Sequence, residues 1–194
     1  QEGLPLSELN IIDSTQYSSG QVIQTYTGWE PRASLKISLT ESSSIKLSYN
    51  RMYQYIHLLS NSTSATPVDM WQVSNRYIQP QISNNYTIGV FKNFGINEWE
   101  TALEVYYKDI ESMNEYKDLA QLILNPTIET EILNGIGQAY GAEVSIKKNT
   151  GRWTGRLAYT YARTLFQVKG EHFSETINSG EWVPANFDKP HNVN

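Results

Sequence analysis

Residues 32–55 read RASLKISLTESSSIKLSYNRMYQY, and the fold is decided here. In 32–40, Ala33, Leu35, Ile37 and Leu39 share one face, while Arg32, Ser34, Lys36, Ser38 and Thr40 share the other. Glu41-Ser42-Ser43-Ser44 follows as a short turn. In 45–55, Ile45, Leu47, Tyr49, Tyr53 and Tyr55 alternate with Lys46, Ser48, Asn50, Met52 and Gln54, and Arg51 interrupts the apolar face. Successive side chains of a strand point to opposite faces, so period-two alternation on both sides of a turn reads as a hairpin with one apolar and one polar face.

The same pattern recurs outward from this hairpin. Tyr86, Ile88 and Val90 alternate with Thr87, Gly89 and Phe91. Trp99, Leu103, Val105 and Tyr107 alternate with Glu98, Glu100, Glu104 and Lys108. Tyr140, Ala142, Val144 and Ile146 oppose Gly141, Glu143, Ser145 and Lys147. Trp153, Leu157, Tyr159 and Tyr161 oppose Thr154, Arg156, Thr160 and Ala162. This predicts about six strands, with a seventh beginning near His191. Short turns at 41–44, 94–97 and 149–151 alternate with long segments before 30 and over 57–83, 111–138 and 168–188. That is an antiparallel up-and-down meander with tight turns at one end and long loops at the other. Long loops are uncommon in compact domains and are usually functional.

Strand length suggests where the apolar face goes. Several strands run about 10–14 residues, against about 5–6 in soluble proteins. Eleven residues tilted by about 40–45° rise roughly 27 Å, close to the apolar band of about 25 Å on a transmembrane β-barrel. Tyr53, Tyr55, Trp99, Tyr107, Trp153 and Tyr161 suit its aromatic girdles. A soluble β-sandwich would alternate too, with the apolar face in a core, and the polar face does not separate the two. Strand length and loop asymmetry favour an all-β partial transmembrane barrel. A charge facing lipid at the midplane costs about 2–4 kcal/mol, against about 0–1 near an interface. Arg51 and Lys92, which sit on the apolar face, are therefore expected near a membrane edge or at a bulge.

Composition removes several alternatives. The 194 residues contain no Cys, hence no disulfide framework and no thiolate site. The net charge of −5 argues against non-specific nucleic-acid binding. With 13 Tyr, 5 Trp and 18% charged residues, the chain is unlike a disordered one. Apolar runs such as Leu122-Ile123-Leu124 are far too short for a transmembrane helix. The four long segments hold 13 acidic and 3 basic residues, a solvated surface or a vestibule favouring cations and neutral polar solutes. Neither end has the features of a signal peptide or a natural stop, so the chain reads as an internal piece of a longer protein.

Catalysis has little support, and no enzyme is expected. Glu100 and Glu104 share a strand face, but four residues separate them by roughly 13–14 Å, beyond the roughly 5–9.5 Å of a glycosidase pair. There is no nucleophile elbow and no phosphate-binding glycine loop. His57, His172 and His191 lack metal-ligand spacing, and structural hydrogen bonds are expected of His57 and His191. No cofactor or metal is expected. The inward-facing Arg32, Lys36, Lys46, Glu100, Glu104, Lys108, Glu143, Lys147 and Arg156 are expected to pair across strands, meet a plug or be wetted. Trp71, Tyr77, Tyr116 and Trp182 are loop aromatics whose faces suit stacking on sugars or chelates, or packing of loops on one another.

A family resemblance adds to this. Glu30-Pro31-Arg32, Tyr49-Asn50-Arg51, Tyr53-Gln54-Tyr55-Ile56-His57-Leu58-Leu59-Ser60-Asn61, Asp69-Met70-Trp71, Pro80-Gln81 and Glu104-Val105-Tyr106-Tyr107-Lys108 come first. Tyr116-Lys117-Asp118, Ala139-Tyr140-Gly141-Ala142-Glu143 and Gly151-Arg152-Trp153-Thr154-Gly155 follow, and then Tyr159-Thr160-Tyr161-Ala162-Arg163-Thr164 and Asp188-Lys189-Pro190-His191. In this order and spacing they resemble the barrel of TonB-dependent outer-membrane receptors, especially those of Bacteroidetes-type bacteria. The resemblance covers 30–194, with 1–29 as an extracellular loop segment. It implies a barrel of about 22 strands with a plug in its lumen, of which this chain holds about a third of the strands and neither the plug nor the TonB-contact segment. Its implied setting is the bacterial outer membrane, with short turns periplasmic and long loops extracellular. Its implied function is energy-driven import of a scarce nutrient such as a metal chelate, vitamin or glycan. The implied partners are outer-membrane lipid, the TonB complex through the plug region, a surface lipoprotein and the nutrient. A passive porin is the alternative within the same architecture, and a soluble β-sandwich module for carbohydrate binding or adhesion is the alternative outside it.

Overall fold

A computed structural model describes residues 14–59, 70–117, 120, 128–170 and 175–194. Ten strands run in chain order: β1 (Arg32–Thr40), β2 (Ser43–Gln54), β3 (Ile56–Leu59), β4 (Met70–Val73), β5 (Gln81–Phe94), β6 (Trp99–Tyr116), β7 (Ile132–Lys148), β8 (Gly155–Gln167), β9 (Val183–Pro184) and β10 (His191–Val193). The described residues contain no α-helix, only short 3-10 turns such as 128–131 and 178–180. The main sheet has the order β1-β2-β5-β6-β7-β8-β10, with β9 also on β8, and β3 and β4 form a separate hairpin. Every pairing is antiparallel. β1 and β10 do not pair with each other, so the sheet is an open sector of wall.

The meander is as expected. The tight turns at 41–42, 95–98 and 149–154 lie at one end and the long connections at the other. Gly95 (φ 53°) and Asn97 (φ 61°) supply the left-handed backbone that the β5–β6 turn needs. β9 and β10 continue one another along β8: Leu165 pairs Pro184 and Tyr161 pairs His191. The segment between them bulges out and carries Asp188.

The strands outrun the alternation that revealed them. β6 continues to Tyr116 and β7 begins at Ile132, so half of the segment read as a loop is paired ladder. Above the lipid band both faces meet water or loops, and period-two hydropathy ends while backbone pairing continues. A bulge between Ile110 and Met113, with Ser112 at φ 53°, shifts the register there. At the other end β8 begins at Gly155, and Trp153 falls in the preceding bend rather than in the strand.

The two buried apolar clusters sit at the loop end. Ile78, Ile128 and Ile132 form one cluster, packed by Tyr116. Leu133, Phe166, Val168 and Ala185 form another, packed by Met113, Ile177 and Val183. The apolar rows of the wall are left open: Leu35, Leu47, Ile88, Leu103 and Val144 are 39–55% exposed. A sandwich would have covered them. Among the described residues nothing does, and lipid is the solvent that such a face needs.

The candidate functional site: a membrane wall with a loop-side shelf

Cross-strand register turns the separate patterns into rows that run across the strands. Tyr49, Tyr86, Tyr107 and Tyr140 stand side by side across β2, β5, β6 and β7. The rings of Tyr49 and Tyr86 lie 5.1 Å apart. Below them come Leu47, Ile88, Val105 and Ala142, then Ile45, Val90, Leu103 and Val144. Phe94 pairs with Trp99 at the turn end. From Tyr107 to Trp99 is eight steps, which at about 40° tilt rises about 21 Å. The tyrosine row is one aromatic girdle, and Phe94 with Trp99 belongs to the other.

Of the residues expected in the girdles, Tyr107 stands in the tyrosine row, Trp99 is at the turn end, and Tyr161 pairs with Ala142 in the row next to the tyrosines. Tyr53 lies two rows above the tyrosines, with its ring stacked on Tyr55 at 6.0 Å. One strand read alone does not reveal which residues of its neighbours stand level with it.

Arg51 and Lys92, the two charges read from sequence on the apolar face, lie near its edges, as expected, and Lys148 and Arg163 share that face. Arg51 pairs with Asn84 just above the tyrosine row, and its guanidinium covers the Tyr53 ring at 5.4 Å. Lys92 stands one row above Phe94 and Trp99, with Nζ 4.9 Å from the Phe94 ring. Lys148 pairs with Trp99 and lies 4.9 Å over its ring. At the headgroup such cations keep water and gain a ring face.

The opposite face is polar and partly charge-matched. Lys147 reaches Glu100 at 3.8 Å, Arg156 reaches Glu143 at 3.4 Å and Arg32 reaches Glu30 at 3.4 Å. These exposed pairs contribute about 0–1 kcal/mol each. Glu104 and Glu143 stand directly opposite on β6 and β7, with Glu143 tied to Arg156. Gly141 gives room for the neighbouring wall: a methyl there would lie 2.5 Å from the Tyr161 carbonyl oxygen and 2.9 Å from the Tyr106 ring.

Above the band, the β3–β4 hairpin and residues 74–78 form a shelf on the extended part of β6 and β7. Asn134 Nδ2 donates to the Tyr77 carbonyl at 3.2 Å, and Ile78 packs with Ile128 and Ile132. His57 is buried here. Its Nε2 lies 3.0 Å from Ser74 Oγ, and Asn114 Nδ2 donates to its Nδ1 at 3.3 Å. Burial pushes the imidazole below its ordinary pKa. Glu115, on the same stretch of β6, is pushed above the carboxylate range by burial, opposed by the Tyr116 backbone N–H. His191 Nδ1 lies 2.8 Å from Tyr159 Oη. Both histidines thus have the structural hydrogen bonds expected, and His172 lies outside the described residues. No group of three His, Asp or Glu among the described residues is arranged to hold a metal ion.

The four aromatics named from sequence are not gathered into one cluster. Tyr77 is exposed and adjoins Ile78, and Tyr116 packs against the cluster of Ile78, Ile128 and Ile132, so these two share the shelf. Tyr116 is the last residue of β6, not a loop residue. Trp71 is on β4, opposite Leu58 and 70% exposed. Trp182 precedes β9, beside the second cluster. No ring contact joins Trp71, Tyr77 and Trp182 among the described residues. Sequence reasoning missed the β3–β4 hairpin, whose four-residue strands are too short to show periodicity. It also missed the N-terminal anchor, in which Tyr26 Oη donates to the Asn75 carbonyl at 2.7 Å.

A wall with a lipid-facing apolar band between aromatic rows, a wet inner face and the tight strand-to-strand turns at 41–42, 95–98 and 149–154 at one end defines a transmembrane β-barrel. Residues 7–190 match the outer membrane protein beta-barrel family, and the chain belongs to that family. It is thus a protein of the bacterial outer membrane. No curated protein and no solved structure matches the chain.

Proposed function

We propose that this chain is part of the wall of an energy-driven outer-membrane importer of the TonB-dependent kind, taking up a metal chelate, a vitamin or a glycan. The observation that carries this reading is the ordered series of motifs from Glu30-Pro31-Arg32 to Asp188-Lys189-Pro190-His191, which resembles the barrel of those receptors. The open, polar inner face supports it, because a barrel with a solute path has more strands than one filled by its own side chains. In this reading the plug and TonB-contact region lie outside this chain, and the membrane face meets outer-membrane lipid. Trp71, Tyr77, Tyr116 and Trp182 supply aromatic surface to the nutrient on the loop side, and a surface lipoprotein assists capture there.

The test is uptake in cells with and without the gene, before and after the inner-membrane proton gradient is collapsed. The importer reading expects gene-dependent uptake that stops on collapse. Gene-dependent uptake that continues unchanged would establish the passive porin instead.

A further inference from the structure

The inner face treats its cations in two ways. Lys147 and Arg156 each stand against a carboxylate. Lys36 and Lys46 stand against each other, directly opposite on β1 and β2. Among the described residues, neither makes an ion pair or a hydrogen bond. Directly opposed like charges destabilise a strand pair, so this arrangement sets two ammonium groups side by side with no carboxylate at ion-pair distance among the described residues, the nearest acidic positions in register and at the turn being Glu104 and Glu41.

A pocket of about 460 Å³ opens beside that pair, at the turn end of the inner face. Lys36, Lys46, Phe91, Asn93, Ser38 and Ser44 line it, with Glu41 at the turn. The Phe91 ring lies over the backbone of Gly89, where an added methyl would be 2.8 Å from the ring. Gly89 is the cross-strand partner of Lys46, so the ring is held beside the lysine pair.

We propose that this pocket binds an acidic sugar. Its carboxylate sits between the two ammonium groups, each supplying N–H donors and positive charge. The C–H face of its ring rests on Phe91, and its hydroxyls exchange hydrogen bonds with Ser38, Ser44 and Asn93. The site needs only the wall, and it stands whether passage through the barrel is driven or passive.

The test uses the whole protein containing this wall, folded in detergent micelles and titrated calorimetrically with glucuronate, glucose and inorganic phosphate. Glucuronate is expected to bind saturably, and more tightly than either glucose or phosphate. Lys46→Glu places an opposite charge against Lys36 and so preserves the hairpin. It is expected to weaken glucuronate binding by about tenfold or more. Phe91→Leu is expected to weaken glucuronate several-fold and to leave phosphate unchanged. β-Sheet circular dichroism and heat-modifiable gel migration confirm that each variant is folded. Glucuronate binding unchanged in Lys46→Glu would overturn the site. Glucose or phosphate binding as tightly as glucuronate would overturn its assignment to an acidic sugar.

Discussion

Arg163 Nε lies 2.9 Å from Asp188 Oδ2, and the other oxygen of Asp188 accepts the Thr164 backbone N–H at 2.7 Å. Arg163 stands opposite Tyr140 and so ends the tyrosine row with a guanidinium. Asp188 comes from the bulge between β9 and β10, and its side chain is only 7% exposed. One carboxylate thus neutralises a lipid-facing cation and fastens the last strand to β8.

Asp188→Asn keeps an acceptor for Thr164 and loses the charge, whereas Asp188→Ala loses both. Denaturant unfolding in lipid vesicles is expected to rank stability as wild type, then Asn, then Ala. Breaking the exposed Glu143–Arg156 pair is expected to change stability by only about 0–1 kcal/mol. Equal stability of wild type and Asp188→Ala would deny the clamp.

Depth along the band sets the cost of a charge. Leu103 lies midway between Tyr107 and Trp99. Leu103→Arg is expected to destabilise by about 2–4 kcal/mol, and Lys92→Ala to change stability by about 0–1 kcal/mol. The same vesicle unfolding assay reads both, and a harmless Leu103→Arg would mean that this face does not meet lipid.

Fluorescence quenching tests the vertical placement directly. With the other tryptophans replaced, Trp99 is expected to be quenched by phospholipids brominated on the acyl chain near the headgroup. Trp71, on the shelf hairpin, is expected to be untouched by them. Equal quenching of both would place the shelf at the wrong height.

The shelf is expected to respond to pH through His57 and Glu115. Burial lowers the His57 pKa below its unfolded value, so the unfolded state binds more protons between the two. Its contribution is full above about pH 6.5 and falls as the pH drops toward the lower folded value. Protonation also turns Nδ1 into a donor facing the Asn114 amide. Glu115 has a raised pKa, so its contribution is full at low pH and is lost as the pH rises through the folded value. Among the described residues Glu129, which accepts from Gln72 at 3.4 Å, is another carboxylate at the hairpin. Protection of the β3–β4 amides, taken relative to the intrinsic exchange rate at each pH, is expected to fall between pH 7.5 and 5.5, and His57→Gln is expected to abolish most of that change. An unchanged pH response in His57→Gln would remove the imidazole from this role.

The wall was legible because a lipid-facing strand repeats every second residue, as Leu35, Leu47, Ile88, Leu103 and Val144 do. The alternation of tight turns and long segments gave the meander for the same reason. Residues 108–116 and 132–139 lack that repeat because water and loops, not hydrocarbon, surround them, and their pairing was visible only in coordinates. The tyrosine row depends on register between strands far apart in sequence, as between Tyr49 and Tyr86. The shelf depends on single contacts such as His57 with Ser74 and Asn114, which no local pattern announces. Tyr77 and Tyr116 were named as loop aromatics, and their meeting at the cluster of Ile78, Ile128 and Ile132 came only from the fold.

The overhang of β6 and β7 has a consequence for traffic across the cell surface. Tyr116 stands nine residues beyond the girdle at Tyr107, a rise of about 23 Å at 40° tilt. The wall therefore continues as a collar well past the aromatic row, and in the importer proposed above its inner surface would be the first part of the barrel that a nutrient meets.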